Sequence, residues 1–71
     1  MIGLADEILS LIARKDQIEI ADIQDRFGIT KQTANSVIDF LVKFGFIEID
    51  DSKRYVRLSE PCKKFFAEIS D

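Results

Sequence analysis

The stretch Ile18-Glu19-Ile20-Ala21-Asp22-Ile23-Gln24-Asp25-Arg26-Phe27-Gly28-Ile29-Thr30-Lys31-Gln32-Thr33-Ala34-Asn35 decides how this chain folds. Gln17 to Ile20 alternates polar and apolar residues over a strand-like length, which predicts a very short strand. A helix of about two turns follows from Ala21 to Phe27, with Ile23 and Phe27 four apart and Asp22 in its first turn. Ile20 stands where a capping Ser, Thr or Asp is expected, so the start of this helix is poorly marked. Gly28 stops it, because glycine reaches a left-handed conformation at little steric cost, and Thr30 is a good N-cap for the next helix. Two helices joined by a tight glycine turn are the expected centre of the fold.

Downstream, the third helix is expected to run from its Thr30 cap to Phe44 and to stop at Gly45. Ala34, Val37, Ile38, Leu41 and Phe44 form its predicted buried stripe, and Phe40 and Val42 at the stripe's edges are expected to extend the core against the downstream strands. Gln32, Asn35, Ser36, Asp39 and Lys43 point the other way, with Lys31 and Thr33 on the flanks, giving a face that is polar and largely uncharged. Asn and Ser are mediocre helix formers on a merely solvated face, where Glu or Lys serves better. Asp39 is expected to pair with Lys43 at i, i+4. Phe46–Ile49 and Tyr55–Leu58 read as strands around the polar turn Asp50-Asp51-Ser52-Lys53-Arg54, a β-hairpin with a basic tip. Ser59 then caps a last helix whose apolar face is Cys62, Phe65, Phe66 and Ile69. Cys62 on that stripe reads as a small hydrophobe.

Upstream, Leu4, Ala5, Ile8, Leu9, Leu11 and Ile12 share one side of a helical period, while Asp6, Glu7, Ser10 and Arg14 take the other. The stripe is roughly 160° wide at 100° per residue, broader than the ~100° that covering one core requires, and the surplus is available to a partner.

With 71 residues the chain suffices for a single domain, expected to span 1–71, and is too short for two. One core of this size seldom supplies more than roughly 3–5 kcal/mol. The sequence has no His and one Cys, so it lacks an imidazole acid or base, the Ser-His and Cys-His nucleophile pairs, an intramolecular disulfide and the usual zinc ligands. An enzyme, a cofactor and a metal are therefore not expected. The first residues have neither a basic start nor a long apolar run, which points to a cytoplasmic protein without a membrane span, and the initial Met1 favours a whole protein over an excised domain. The net charge of −3 is awkward for a nucleic-acid binder, but the acids are uneven: six against three basic residues before Thr30, four against five from Thr30 to Leu58.

The order helix, short strand, helix, glycine turn, helix, glycine, hairpin, helix resembles a winged helix-turn-helix domain. Residues 18–35 are similar to the helix-turn-helix of MarR-like and ArsR-like prokaryotic and archaeal regulators. Leu41-Val42-Lys43-Phe44-Gly45-Phe46-Ile47-Glu48 resembles their passage into the wing, and Val56-Arg57-Leu58-Ser59 the way out of it. The fold class this implies is α+β, mainly α, with a three-helix core, a short strand, a two-stranded wing and a C-terminal helix.

The resemblance implies a recognition helix at about 31–44 in the major groove, its N-terminal residues at base edges, with the wing 46–58 on the backbone. By position, Thr30, Lys31, Gln32, Thr33, Asn35 and Ser36 are the candidate DNA-binding residues of that helix, with Lys43, Lys53 and Arg54 as phosphate contacts. Gln and Asn pair bidentately with adenine, Lys with guanine, and Ser or Thr with a base or a phosphate. It further implies a homodimer on double-stranded DNA, with Leu4, Ile8, Leu11, Phe65, Phe66 and Ile69 as the apolar surface of the termini. The competing expectation is a winged helix used as a protein-interaction module or as the terminal domain of a replication, transcription or sorting complex. The acidic pI of about 4.8 favours that alternative.

Overall fold

Where the short strand meets the second helix, the backbone N–H of Ile20 donates to the carbonyl of Arg54 at 2.9 Å, and this bond explains a helix that starts without a capping side chain. The computed structural model describes residues 3–69, Ile69 by its backbone alone. Its elements are α1 (Leu4–Ala13), β1 (Ile18–Glu19), α2 (Ile20–Phe27), α3 (Lys31–Lys43), β2 (Ile47–Ile49), β3 (Tyr55–Leu58) and α4 (Glu60–Ile69). This is the winged helix-turn-helix, mainly helical α+β. The wing is broader than a hairpin, since β1 pairs antiparallel with β3 and gives the order β1-β3-β2. Ile18 lies opposite Val56 and Glu19 opposite Tyr55, while Ile47, Glu48 and Ile49 face Leu58, Arg57 and Val56. The ladder between β1 and β3 thus runs directly into the first turn of α2.

Two glycines close the helices of the central motif. Gly28 (φ 61°) ends α2, and the N–H of Ile29 returns to the carbonyl of Gln24. Gly45 (φ 79°) ends α3, where the N–H of Phe46 returns to the carbonyl of Leu41. Both are left-handed turns that satisfy a terminal carbonyl, and an L side chain at either position is strained.

Ile8, Ile12, Ile23, Ile38, Leu41, Ile47 and Val56 are fully buried, so the core takes one stripe from each of α1, α2 and α3 and closes on the inner face of the sheet. Each such side chain stabilises by about 1.5–3 kcal/mol against remaining in water. Ala34 on α3 is fully buried in the core, as a small residue at a close contact permits. Ser59 is the junction of wing and last helix: its hydroxyl donates to the Gly45 carbonyl at 2.6 Å, its N–H donates to the Phe46 carbonyl, and its oxygens accept from the N–H groups of Cys62 and Lys63.

The structure corrects four expectations. Phe44 is the C-cap residue of α3 and is 60% exposed, because Leu41 and Ile47 already fill the core at that end. Phe40 (49% exposed) packs against Phe44 with the rings tilted at 53° and their centroids 4.8 Å apart rather than extending the core, and Val42 is also exposed. Ile8 and Leu11 are buried in the core of their own chain and Leu4 is half-buried against it, so the wide stripe of α1 is consumed internally. Asp39 and Lys43 are both exposed but do not pair; the ion pairs among the described residues are Asp22–Arg26, Glu19–Arg54 and Glu48–Arg57. Of the remaining surface expected at the termini, Phe65 is exposed, Phe66 is half-buried and the side chain of Ile69 lies outside the described residues.

Candidate nucleic-acid interface

The N-terminal turn of α3 is built by Thr30. Its Oγ1 accepts from the N–H of Thr33 at 3.1 Å and donates to the Thr33 hydroxyl at 3.0 Å. Thr30 is thereby a cap, and its hydroxyl is already engaged within the chain.

Beyond the cap, Lys31, Gln32, Asn35 and Ser36 are all exposed, as are Asp39 and Lys43 further along. The structure therefore brings the predicted readers onto one solvent-facing surface at the start of α3, where the helix dipole favours negative groups. Two amides and a hydroxyl on a rigid helix offer both donors and acceptors, the equipment that base edges in a major groove demand.

The wing is less basic in effect than in composition. Arg57 pairs with Glu48 across the β2–β3 ladder at 3.2 Å, and Arg54 lies 3.7 Å from Glu19 on β1. Such exposed pairs are worth about 0–1 kcal/mol and exchange readily for a phosphate, but each guanidinium arrives with a carboxylate beside it. Lys31, Lys43 and Lys53 have no ion-pair partner among the described residues. Asp50 organises the tip: it accepts from the Ser52 hydroxyl and from the N–H groups of Arg54 and Tyr55, bonds that hold its carboxyl down at about 2. Lys53 is set there at φ 60°, a left-handed conformation that is uncommon for a side chain of its type.

Sequence reasoning missed the brace made by Glu19 and the organising part of Asp50. The second was within reach, since Asp followed by Ser two residues on is a turn-forming pattern. The first required knowing that β1 joins the wing. Among the described residues no group of three or more acidic or thiol side chains is placed to hold a metal, and no helix is long and apolar enough to cross a membrane.

The sequence model of the MarR family matches residues 7–54, from α1 to the tip of the wing. The chain belongs to the MarR family. A MarR family transcriptional regulator from Silicibacter pomeroyi superposes with a TM-score of 0.73 at 26% identity, over 96% of this chain and 49% of that one. The adhesin competence repressor AdcR of Streptococcus pyogenes shares the fold, with a TM-score of 0.71 at 20% identity over 99% of this chain and 55% of its own. The chain thus spans about half the length of these family structures. No curated protein sequence matches it significantly.

Proposed function

We propose that residues 1–71 form one DNA-binding domain that reads double-stranded DNA in a sequence-specific way and regulates transcription as a homodimer. The observation that carries this reading is the exposed, largely uncharged face of Lys31, Gln32, Asn35 and Ser36 on a helix held by the Thr30 cap, in a chain of the MarR family. Lys31, Gln32, Thr33, Asn35 and Ser36 read bases or adjacent phosphates. Thr30 acts by positioning them. Lys43 and Lys53 neutralise phosphates, and Arg54 contributes once it leaves Glu19. Occupation of a promoter is the mode of action, by the regulator's own binding and without catalysis.

Fluorescence anisotropy on a random duplex at low and moderate salt tests the reading. Binding at micromolar concentration or tighter, weakening steeply with salt, is the expected result, because each neutralised phosphate releases condensed counterions. A flat response at low salt would overturn it in favour of a protein-interaction module, a role that the paired Arg54 and Arg57 and the acidic pI support.

A further inference from the structure

The wing carries two guanidiniums, and each is engaged by a carboxylate from a different neighbouring strand. Arg57 on the central strand β3 lies directly opposite Glu48 on β2, and its Nη2 is 3.2 Å from Glu48 Oε1. Arg54, just before β3, brings its Nη2 to 3.7 Å from Oε2 of Glu19 on β1. The backbone sets this second pair: Glu19 faces Tyr55 in the ladder, and the N–H of the next residue, Ile20, donates to the carbonyl of Arg54. All four side chains are between 45% and 69% exposed, so a phosphate reaches either guanidinium from solvent.

These pairs decide what the wing offers an anion. From Ile47 to Leu58 the bases are Lys53, Arg54 and Arg57 and the acids are Glu48, Asp50 and Asp51. With both arginines paired, Lys53 is the wing cation left without an ion-pair partner among the described residues, and Asp51 beside it is unpaired as well. A tip that is basic in composition therefore presents little net positive field. The carboxylates nonetheless have another cation to turn to. Lys15 is unpaired among the described residues and lines both the cleft of about 370 Å³ that holds Glu48 and Arg57 and the groove that holds Glu19.

We propose, on the DNA-binding reading, that Glu19 and Glu48 are competitors for DNA phosphate built into the chain, and that they set the affinity of the wing. Non-specific binding is almost wholly electrostatic and grows with each phosphate neutralised. A guanidinium that must first leave a carboxylate adds less to this sequence-independent part, so more of the affinity falls to the base contacts of α3. Exposed pairs are weak, a factor of about one to five in an equilibrium constant, so DNA displaces the carboxylates rather than being shut out by them.

Binding of a random duplex, followed by anisotropy across a charge-matched series, tests this. Glu19→Gln and Glu48→Gln are each expected to bind about two- to fivefold tighter than the native chain at low salt, with a steeper salt dependence. Glu7→Gln removes an equal charge from α1, where Glu7 is exposed and has no ion-pair partner among the described residues, and is expected to bind like the native chain. Glu48→Gln is expected to gain nothing in an Arg57→Gln background, and Glu19→Gln nothing in an Arg54→Gln background, because such cycles separate the pair from net charge. Glu19→Thr or Glu48→Thr replaces a Gln variant that loses its cooperative melt, with the same expectation. An equal gain from Glu7→Gln, or gains that survive without the arginine, would overturn the proposal. A native chain that binds duplex no more weakly than its carboxylate variants sinks the competition and leaves the regulator standing. If every form ignores duplex at low salt the regulator is refuted, and the same series on inorganic polyphosphate decides the competition alone: tighter binding by the Gln variants upholds it, and unchanged binding overturns it.

Discussion

At its N-terminal end α3 presents Lys31, Gln32, Asn35 and Ser36 to solvent behind a cap formed by Thr30, while at its C-terminal end it presents Phe40 and Phe44. The backbone is closed at both ends by local chemistry, a hydroxyl at one and a left-handed glycine at the other. What differs is the solvent each end is made for. Amides and hydroxyls exchange hydrogen bonds with water or a base edge at little net change, so they wait in water without strain on solubility. Exposed rings do not, and a contiguous aromatic patch on a small chain asks to be covered. One helix therefore carries two kinds of exposed surface, hydrogen-bonding at its start and apolar at its finish.

The largest effect that separates the two ends lies in base preference. Gln32→Ala or Asn35→Ala is expected to relax discrimination at one base pair by about 1–3 kcal/mol, measured by competition between duplexes, whereas Phe44→Ser leaves the preference unchanged. Equal losses on every duplex for the polar variants would erase the distinction between the two ends. Next come the two stops. No heavy atom lies within 4 Å of a Cβ built on Gly45, so Gly45→Ala costs only the left-handed backbone, about 1–2 kcal/mol in urea unfolding. Thr30→Ala removes a cap for about 1 kcal/mol. A Thr30→Ala loss well above the Gly45→Ala loss would show that the polar end also bears on the core.

The smallest effect sits in the wing. The Asp50 carboxyl is held at about 2 against an ordinary 3.8 by the bonds from Ser52, Tyr55 and Arg54. A group depressed on folding contributes stability that is complete above its unfolded value and is lost as pH falls through its folded one. The turn is thus expected to loosen between about pH 4 and pH 2, seen as a titration of Tyr55 and Arg54 amide shifts by NMR. Asp50→Asn should abolish that titration; amide shifts that still move with the same midpoint would assign it elsewhere.

Residues whose task is local are legible in the sequence alone. Thr30 and Ser59 as caps, Gly28 and Gly45 as stops, and the Ile23, Ile38 and Leu41 stripes all arise from chemistry within a few residues. The aromatic end was not legible. Phe44 sits on the edge of the helical stripe, and whether an edge residue is buried depends on what the neighbouring strand has already filled, here by Ile47. The same holds for α1, where a broad stripe looks like surplus until α3 and β3 close over it. The pairing of Glu19 with Arg54 lies beyond local reading for a plainer reason, since residues 35 positions apart meet only because β1 joins the sheet.

Ser59 gives the wing its mechanical character. Through one hydroxyl and one amide it is fastened to the carbonyls of Gly45 and Phe46, at the end of α3, while its own carbonyl anchors Lys63 in α4. The far side of the sheet is pinned separately, at Ile20 and Arg54. A hairpin tied at its root through Ser59 and beside its tip through Arg54 is braced at both ends, so the wing is held to the helical body by backbone bonds at two separate places rather than by its turn alone.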